Sequence, residues 1–195
     1  MANTREDILH AARGILAEHS LADLTMRRLA TEVGVRPNAL YWHFADKQTM
    51  LAALADDLLA GVAVRDDLAW DAALAAMAVD MRGALLAVPD SAEVVSSARA
   101  SGLATGDVTE RFAALASAGG LPGTAARGIA TALCQLIIGL TIEEQTRAQM
   151  ERLGVTGPSG RDYTAEFTEA LEVILDGART ARTASGAAIT PAGER

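Results

Sequence analysis

The segment RPNALYWHFADK, residues 36–47, concentrates side chains that can bind an external partner. Tyr41, Trp42 and Phe44 are three of the seven Phe, Trp and Tyr residues of the chain, and they lie within four positions of one another. His43 lies between them, and no single face of a helix can bury three consecutive residues, so one or two of these side chains must point outward. Side chains with a flat apolar body and a polar tip suit the phosphate oxygens, sugars and thymine methyl groups of DNA. The segment therefore predicts a nucleic-acid contact.

Two short helices are expected to position this segment. Thr25 is a suitable N-cap for a helix that runs to about Val33, and Gly34 follows as a residue that easily adopts a left-handed conformation. Pro37 suits the first turn of a second helix, predicted at 37–43, because the missing N–H costs no hydrogen bond there. Two such helices joined by a short turn that begins with glycine have the geometry of a helix-turn-helix.

The two predicted helices have separate inner and outer faces. The inner anchors are expected to be Leu29, Ala30, Val33, Val35, Leu40 and Phe44. The remaining side chains of the second helix then face solvent, and a helix that exposes aromatic residues needs a partner surface. For Trp42 the alternative is packing against the first helix.

Apolar residues recur at helical spacing along the whole chain, so an all-α fold is predicted. The predicted helices cover 4–19, 26–33, 37–43, 47–64, 70–88, 107–118, 124–152 and 162–182, with at most a short helix within 90–106. The predicted domains are a helix-turn-helix domain at 1–48, a linking helix at 49–65, a ligand-binding and dimerisation domain at 66–182, and a flexible tail at 183–195.

Charge is distributed unevenly along the chain. The formal net charge is −8, yet residues 1–48 carry six basic and six acidic side chains and are neutral. Residues 49–195 therefore carry the whole excess of negative charge. Only the N-terminal region could approach DNA without strong repulsion.

Composition restricts the other classes of function. Cys134 is the one cysteine and cannot form an internal disulfide, which predicts a cytoplasmic protein. No run of eighteen apolar residues and no secretory signal are present, so no membrane partner is expected. No phosphate-binding glycine motif or cluster of metal ligands is evident, so neither an enzyme nor a cofactor is predicted.

The run LTMRRLATEVGVRPNALYWHFADKQTMLAAL, residues 24–54, resembles the DNA-binding segment of the tetracycline-repressor (TetR) family of bacterial transcriptional regulators. The remainder resembles the ligand-binding domain of the tetracycline-repressor type in Trp70, in LLAVP at 85–89 and in IIGLTIEEQ at 137–145. The resemblance implies a homodimeric, sequence-specific regulator, a repressor that a small-molecule effector releases from a palindromic operator. The alternative is a DNA-binding factor without an effector, which acts architecturally or with a protein partner.

The resemblance also implies roles for individual residues on DNA. Thr25 and Lys47 match positions that contact phosphates, and Arg27 matches one that reaches DNA from the same helix as Thr25. The positions that read base edges are occupied by Arg36, Pro37, Asn38 and Ala39, and those that clamp the backbone and nearby thymines by Tyr41, Trp42 and His43. Asn38 is the best candidate for direct readout, because its amide can pair with N6 and N7 of adenine.

An effector pocket is expected between helices of the second region. Its predicted lining is Trp70, Met77, Met81, Phe112, Leu133, Ile137 and Glu143. The alternative for each is ordinary core packing. Apolar walls and a negative net charge favour an apolar or cationic molecule. The family's magnesium–tetracycline chelate requires a histidine in this region, whereas His10, His19 and His43 all precede it, so the sequence disfavours that effector.

The predicted helices at 124–152 and 162–182 resemble the pair with which the family forms dimers, as a four-helix bundle. Small residues that permit close helix approach are Ala125, Gly128, Ala132 and Gly139. Two recognition helices about 34 Å apart would read a palindrome. The helix predicted at 47–64 belongs to both regions and would relay effector binding to DNA.

Overall fold

A computed structural model describes residues 4–187, and in this range the chain forms α-helices and no strands. The helices are α1 (Arg5–Glu18), α2 (Met26–Glu32), α3 (Pro37–Leu40), α4 (Lys47–Leu58), α5 (Trp70–Leu86), α6 (Ser91–Ser101), α7 (Val108–Ala118), α8 (Gly123–Arg152) and α9 (Tyr163–Ala187). The predicted all-α fold class is confirmed.

The linking helix is shorter than predicted. α4 ends at Leu58, whereas the sequence predicts a helix to about residue 64. Asp56 and Asp57 place negative charge in the last turn, where the helix dipole disfavours it, and Gly61 follows within three residues. Val62 remains buried although it lies outside the helix, so its apolar spacing was misleading.

Two other helices are longer than predicted. α6 has 11 residues where the sequence predicts at most a short helix, and Gly102 ends it in a left-handed conformation with φ of 68°. α9 continues to Ala187, so the first residues of the predicted tail are helical. The rest of that tail, residues 188–195, lies outside the described residues.

The helices form two compact units whose segments alternate along the chain. The first unit contains the described residues up to Gly61, together with Arg82–Gly106 and Thr141–Ser159. The second unit contains Val62–Met81, Asp107–Leu140 and the residues from Gly160 onward. α5 and α8 therefore contribute residues to both units. The predicted domain ranges stay a prediction.

Apolar packing of α1, α4 and α6 forms the core of the first unit. Ile8, Ile15 and Leu16 of α1 are buried, as are Met50 and Leu54 of α4. α4 packs most extensively against α6. Full burial of one such side chain stabilises the fold by about 1.5–3 kcal/mol, so this core gives the helix-turn-helix a rigid support.

Carboxylates tie the helix-turn-helix to the other segments of the first unit. Asp57 of α4 accepts a hydrogen bond of 2.6 Å from Nε of Arg13 on α1. Asp90, just before α6, accepts one of 2.7 Å from the backbone N–H of Leu21. Asp56 accepts hydrogen bonds from the backbone N–H and hydroxyl of Thr105, at 2.9 and 2.6 Å.

The second unit has its own apolar core. Its fully buried side chains include Leu74, Met77, Phe112, Leu133 and Leu175. α8 has the length and apolar composition of a helix that could cross a membrane, and 39% of its most apolar window is buried in the fold. The core helix of a soluble protein satisfies the same criterion, so α8 gives weak support for a membrane span.

Candidate DNA-binding surface and effector region

Local hydrogen bonds set the geometry of the predicted helix-turn-helix. The Thr25 hydroxyl accepts a hydrogen bond of 3.1 Å from the backbone N–H of Arg28 and so caps α2. Gly34 has φ of 73°, and the next N–H, of Val35, donates to the carbonyl of Ala30 at 2.9 Å. This pattern closes the helix C-terminus and turns the chain toward α3. Pro37 occupies the first turn of α3 as predicted.

The second helix of the motif is shorter than predicted. α3 ends at Leu40, and residues 41–43 form a turn in which the N–H groups of His43 and Phe44 both donate to the carbonyl of Leu40, at 2.9 Å. Aromatic residues and histidine have lower helix propensity than alanine or leucine, which weakens a helix through this segment. The same turn places Phe44 in the core, 1% exposed, beside buried Leu40.

The aromatic residues of the motif face solvent. The side chain of Trp42 is 90% exposed and that of Tyr41 is 49% exposed, while His43 is also exposed. The alternative position of Trp42 against the first helix is therefore excluded. Two adjacent large aromatic side chains in solvent favour a surface that another molecule covers.

All ten predicted DNA-contacting residues lie at the protein surface. Eight are exposed, namely Thr25, Arg27, Arg36, Pro37, Asn38, Tyr41, Trp42 and His43. Ala39 and Lys47 are half-buried. Asp46 caps α4, and the hydrogen bond from the backbone N–H of Thr49 holds the pKa of its carboxyl below the ordinary value. Lys47 therefore begins a capped helix and has a fixed backbone position.

One cation beside the motif has no signal in the local sequence. The guanidinium of Arg5, in the first turn of α1, lies 4.6 Å from the ring centroid of Phe44. Such a cation–π contact places positive charge near the end of residues 36–47, the recognition segment. Its two partners are 39 positions apart in the chain, and no local pattern indicates their contact.

The predicted effector residues are divided between the two units. Met77, Met81, Phe112, Leu133 and Ile137 lie in the second unit, and each is 0% exposed. Their burial agrees with the core-packing alternative, and their role as ligand contacts stays a prediction. Glu143 belongs to the first unit and is exposed.

Trp70, another predicted effector residue, lines a surface pocket. The pocket lies in the second unit and has a volume of about 350 Å³. Within residues 4–187, no group of three or more His, Cys, Asp and Glu side chains is arranged to hold a metal ion.

Comparison with known proteins decides the family. The family described as "Bacterial regulatory proteins, tetR family" matches residues 8–54, and "Tetracyclin repressor-like, C-terminal domain" matches residues 65–157. The chain belongs to the TetR family. The class A tetracycline repressor from transposon 1721 of Escherichia coli is 32% identical over 198 aligned residues, which cover 87% of this TetR-family chain and 88% of that repressor.

Solved TetR-type structures have the same fold. The crystal structure of BioQ from Mycobacterium smegmatis superimposes with a TM-score of 0.83 and 38% identity, covering 91% of this chain and 98% of that one. A BioQ structure with its double-stranded DNA operator gives a TM-score of 0.72 and 36% identity, covering 90% and 97%. This TetR-family chain is thus a DNA-binding transcriptional regulator and not an enzyme, as predicted.

Proposed function

We propose that the protein is a homodimeric repressor that binds a palindromic operator in the cytoplasm and is released by a small-molecule effector. The observation that carries this proposal is the exposed recognition segment. Trp42 is 90% exposed on a motif whose neighbouring anchors, Leu40 and Phe44, are each 1% exposed. Such a rigid, outward-facing aromatic group suits binding along a DNA backbone.

The proposed DNA contacts fall into two classes, base readout and positioning on the backbone. Asn38 and Arg36 lie on the exposed side of α3 and its N-cap, where an amide and a guanidinium can each form two hydrogen bonds with one base. Arg27 and Lys47 supply positive charge to phosphates, and the hydroxyl of Thr25 lies at the start of α2. We assign base readout to the first pair and positioning on the backbone to the others.

An unpartnered face in the second unit supports the homodimer. On α9, Val173 is 73% exposed, and Gly177 follows one turn later on the same side. On α8, exposed Gly128 and Gly139 recur at helical spacing, and a methyl group added at any of these three glycines would meet no atom within 4 Å. Small residues in this pattern permit the close helix approach of a four-helix bundle.

The burial of predicted effector residues supports the alternative, a regulator without an effector. Five of the seven predicted effector residues are fully buried as core. The pocket beside Trp70 supports effector control instead, because its volume of about 350 Å³ lies in the range of small-molecule sites, about 300–1,000 Å³.

Selection of binding sites from random duplex DNA tests the proposal. The purified protein, at about 150 mM salt where nonspecific phosphate binding is weakened, is expected to enrich a palindrome. Half-sites separated by about one helical turn of DNA would support the dimer. Enrichment of single half-sites would contradict the dimeric arrangement, and enrichment of no sequence would contradict the operator.

A further inference from the structure

The pocket beside Trp70 combines aromatic, cationic and apolar surfaces. It is lined by the loop before α5, including Arg65 and Leu68, by Leu115 and Gly119 at the end of α7, and by Arg182 of α9. These segments all belong to the second unit. The pocket therefore exists within one compact unit and involves none of the proposed DNA contacts.

Gly119 fixes the position of the indole. A Cβ atom added at Gly119 would lie 2.4 Å from Cδ2 of Trp70, far inside contact distance. Gly119 has φ of −70°, which any residue adopts, so the close approach of the indole and not the backbone conformation requires glycine here. The ring thus lies against the α7 backbone on one side. The side chain is only half-buried, so part of its aromatic surface faces the pocket.

Arg182 provides a positive charge at this aromatic surface. Its guanidinium carbon lies 5.7 Å from the Trp70 ring centroid. Arg179, one turn earlier, is held by Asp71 at 2.9 Å and by Asp176 at 2.8 Å. By contrast, no carboxylate within residues 4–184 forms an ion pair with Arg182. Its charge is available to a ligand.

The other charged groups of the pocket do not cancel this charge. Arg65 lies 3.4 Å from Asp80, an interaction between partly exposed side chains that contributes little. The lining of the pocket includes the carboxylate of Asp66 and two guanidiniums, those of Arg65 and Arg182. The remaining walls, including Leu68 and Leu115, are apolar.

We propose that this pocket binds a planar aromatic carboxylate. The ligand ring would contact the part of the Trp70 indole that Arg182 leaves uncovered, together with the leucine side chains, and Arg182 would form a charge-assisted pair with the carboxylate. This ligand class differs from the apolar or cationic molecule that the overall charge favours, because the local guanidinium outweighs a distant net charge. The inference names the class of effector and in that respect rests on the proposed function.

The first experiment compares two ligands of equal shape by isothermal titration calorimetry on the full-length protein. 2-Naphthoate carries the carboxylate, and 2-naphthamide is its neutral analogue. Saturable binding of 2-naphthoate at about 1 mM or below is expected, with 2-naphthamide weaker by about tenfold, the scale of one charge-assisted hydrogen bond. Equal affinity of the two, or no saturation by either up to about 5 mM, would overturn the proposal.

Two variants test the assigned residues. R182Q is expected to weaken 2-naphthoate about tenfold and to leave 2-naphthamide unchanged, because only the charge pair is lost. G119A is expected to weaken both ligands, because its Cβ displaces the indole. R152Q removes one exposed charge from the end of α8 and serves as the matched control, without effect on either ligand. An R182Q protein that binds 2-naphthoate as the wild type does would refute the role of Arg182.

A separate readout distinguishes the ligand site from the regulatory role. Fluorescence anisotropy of a labelled operator duplex, obtained from the site selection, is measured with and without saturating 2-naphthoate. Weaker operator binding with 2-naphthoate, and not with 2-naphthamide, supports the effector class. If 2-naphthoate binds but operator affinity is unchanged, the pocket is a ligand site, and its role as the effector site is refuted. Failure to bind any selected duplex would refute the operator, whatever the calorimetry shows.

Discussion

Neighbouring residues of the recognition segment have opposite environments. Phe44 is 1% exposed and Trp42 is 90% exposed, although they are only two positions apart in the chain. Leu40 and Phe44 anchor the segment in the core, so that Asn38 and Trp42 are held outward on a short, supported turn. Pre-organisation of this kind reduces the entropy that binding must overcome.

Asn38→Ala tests base readout. Because the amide is exposed on α3, its loss should leave folding intact and remove about 1–3 kcal/mol of discrimination at one base pair of each half-site. Competition between the selected operator and single-base variants measures this preference. Glu18→Ala, an exposed change at the end of α1, is the control. Equal losses on operator and random duplex would contradict the role of Asn38.

Lys47→Ala tests backbone contact. With about three phosphate contacts per subunit, the slope of log K against log salt should be about −5 for the dimer, and the variant should reduce its magnitude by about 2. The loss should be similar on every sequence, because phosphates carry no sequence information. Filter binding at several salt concentrations checks this. A sequence-dependent loss would indicate that Lys47 contacts a base.

α4 derives its fixed position from both apolar packing and carboxylate hydrogen bonds. Asp56 receives three hydrogen bonds from the loop after α6, and α4 itself packs against α6. Partial burial acts to raise the pKa of Asp56, and the hydrogen bonds from Thr105 and Gly106 outweigh it, so its pKa lies below the ordinary value. The ionised carboxylate therefore stabilises the folded state.

Asp56→Asn tests this contribution through its pH dependence. A depressed folded pKa gives stability that is present above the unfolded value of about 3.9 and is lost as pH falls through the folded pKa. The variant should lower the free energy of unfolding by about 1 kcal/mol at pH 7, because solvent screens this partly exposed carboxylate, with a smaller difference from wild type at about pH 3. Urea unfolding of both proteins at both pH values measures the difference in their free energy of unfolding. A difference that does not shrink in acid would exclude a role for the charge.

The whole molecule combines a neutral DNA-binding region with an acidic remainder. Residues 1–48 carry no net charge, whereas the complete chain carries −8. Long-range repulsion from DNA therefore opposes binding by the acidic region, and a dimer strengthens operator affinity by doubling the recognition surface. At this scale, the proposed dimerisation through α8 and α9 would set the operator affinity.

Val173→Glu tests the dimer. Val173 is 73% exposed in the single chain, so a charge there should not disturb the protomer, whereas burial of that charge in a dimer would be unfavourable. Light scattering should show a monomer, and operator affinity should fall by tenfold or more, on the order of the loss of one half-site. Thr168→Glu adds the same charge to an exposed position on another side of α9 and should remain dimeric. A dimeric Val173→Glu protein would place the interface elsewhere.

The local features of the recognition motif follow from interactions between neighbouring residues of the sequence. Thr25, Gly34 and Pro37 set helix ends through bonds or dihedral preferences that act over about four residues, and each occupies its predicted position. The outward position of at least part of the aromatic run follows from helix geometry alone. The all-α class follows from the repeated apolar spacing.

The features that join distant segments depend on the folded structure. α4 ends at Leu58 despite continuing apolar spacing, and segments of α5 and α8 belong to the same unit as the recognition motif. The proximity of Trp70, Gly119 and Arg182 likewise joins residues far apart in the chain. Helix caps and turns are encoded by neighbouring residues, whereas such contacts depend on how complete helices pack. Packing is a property of the folded chain, and no short stretch of sequence specifies it.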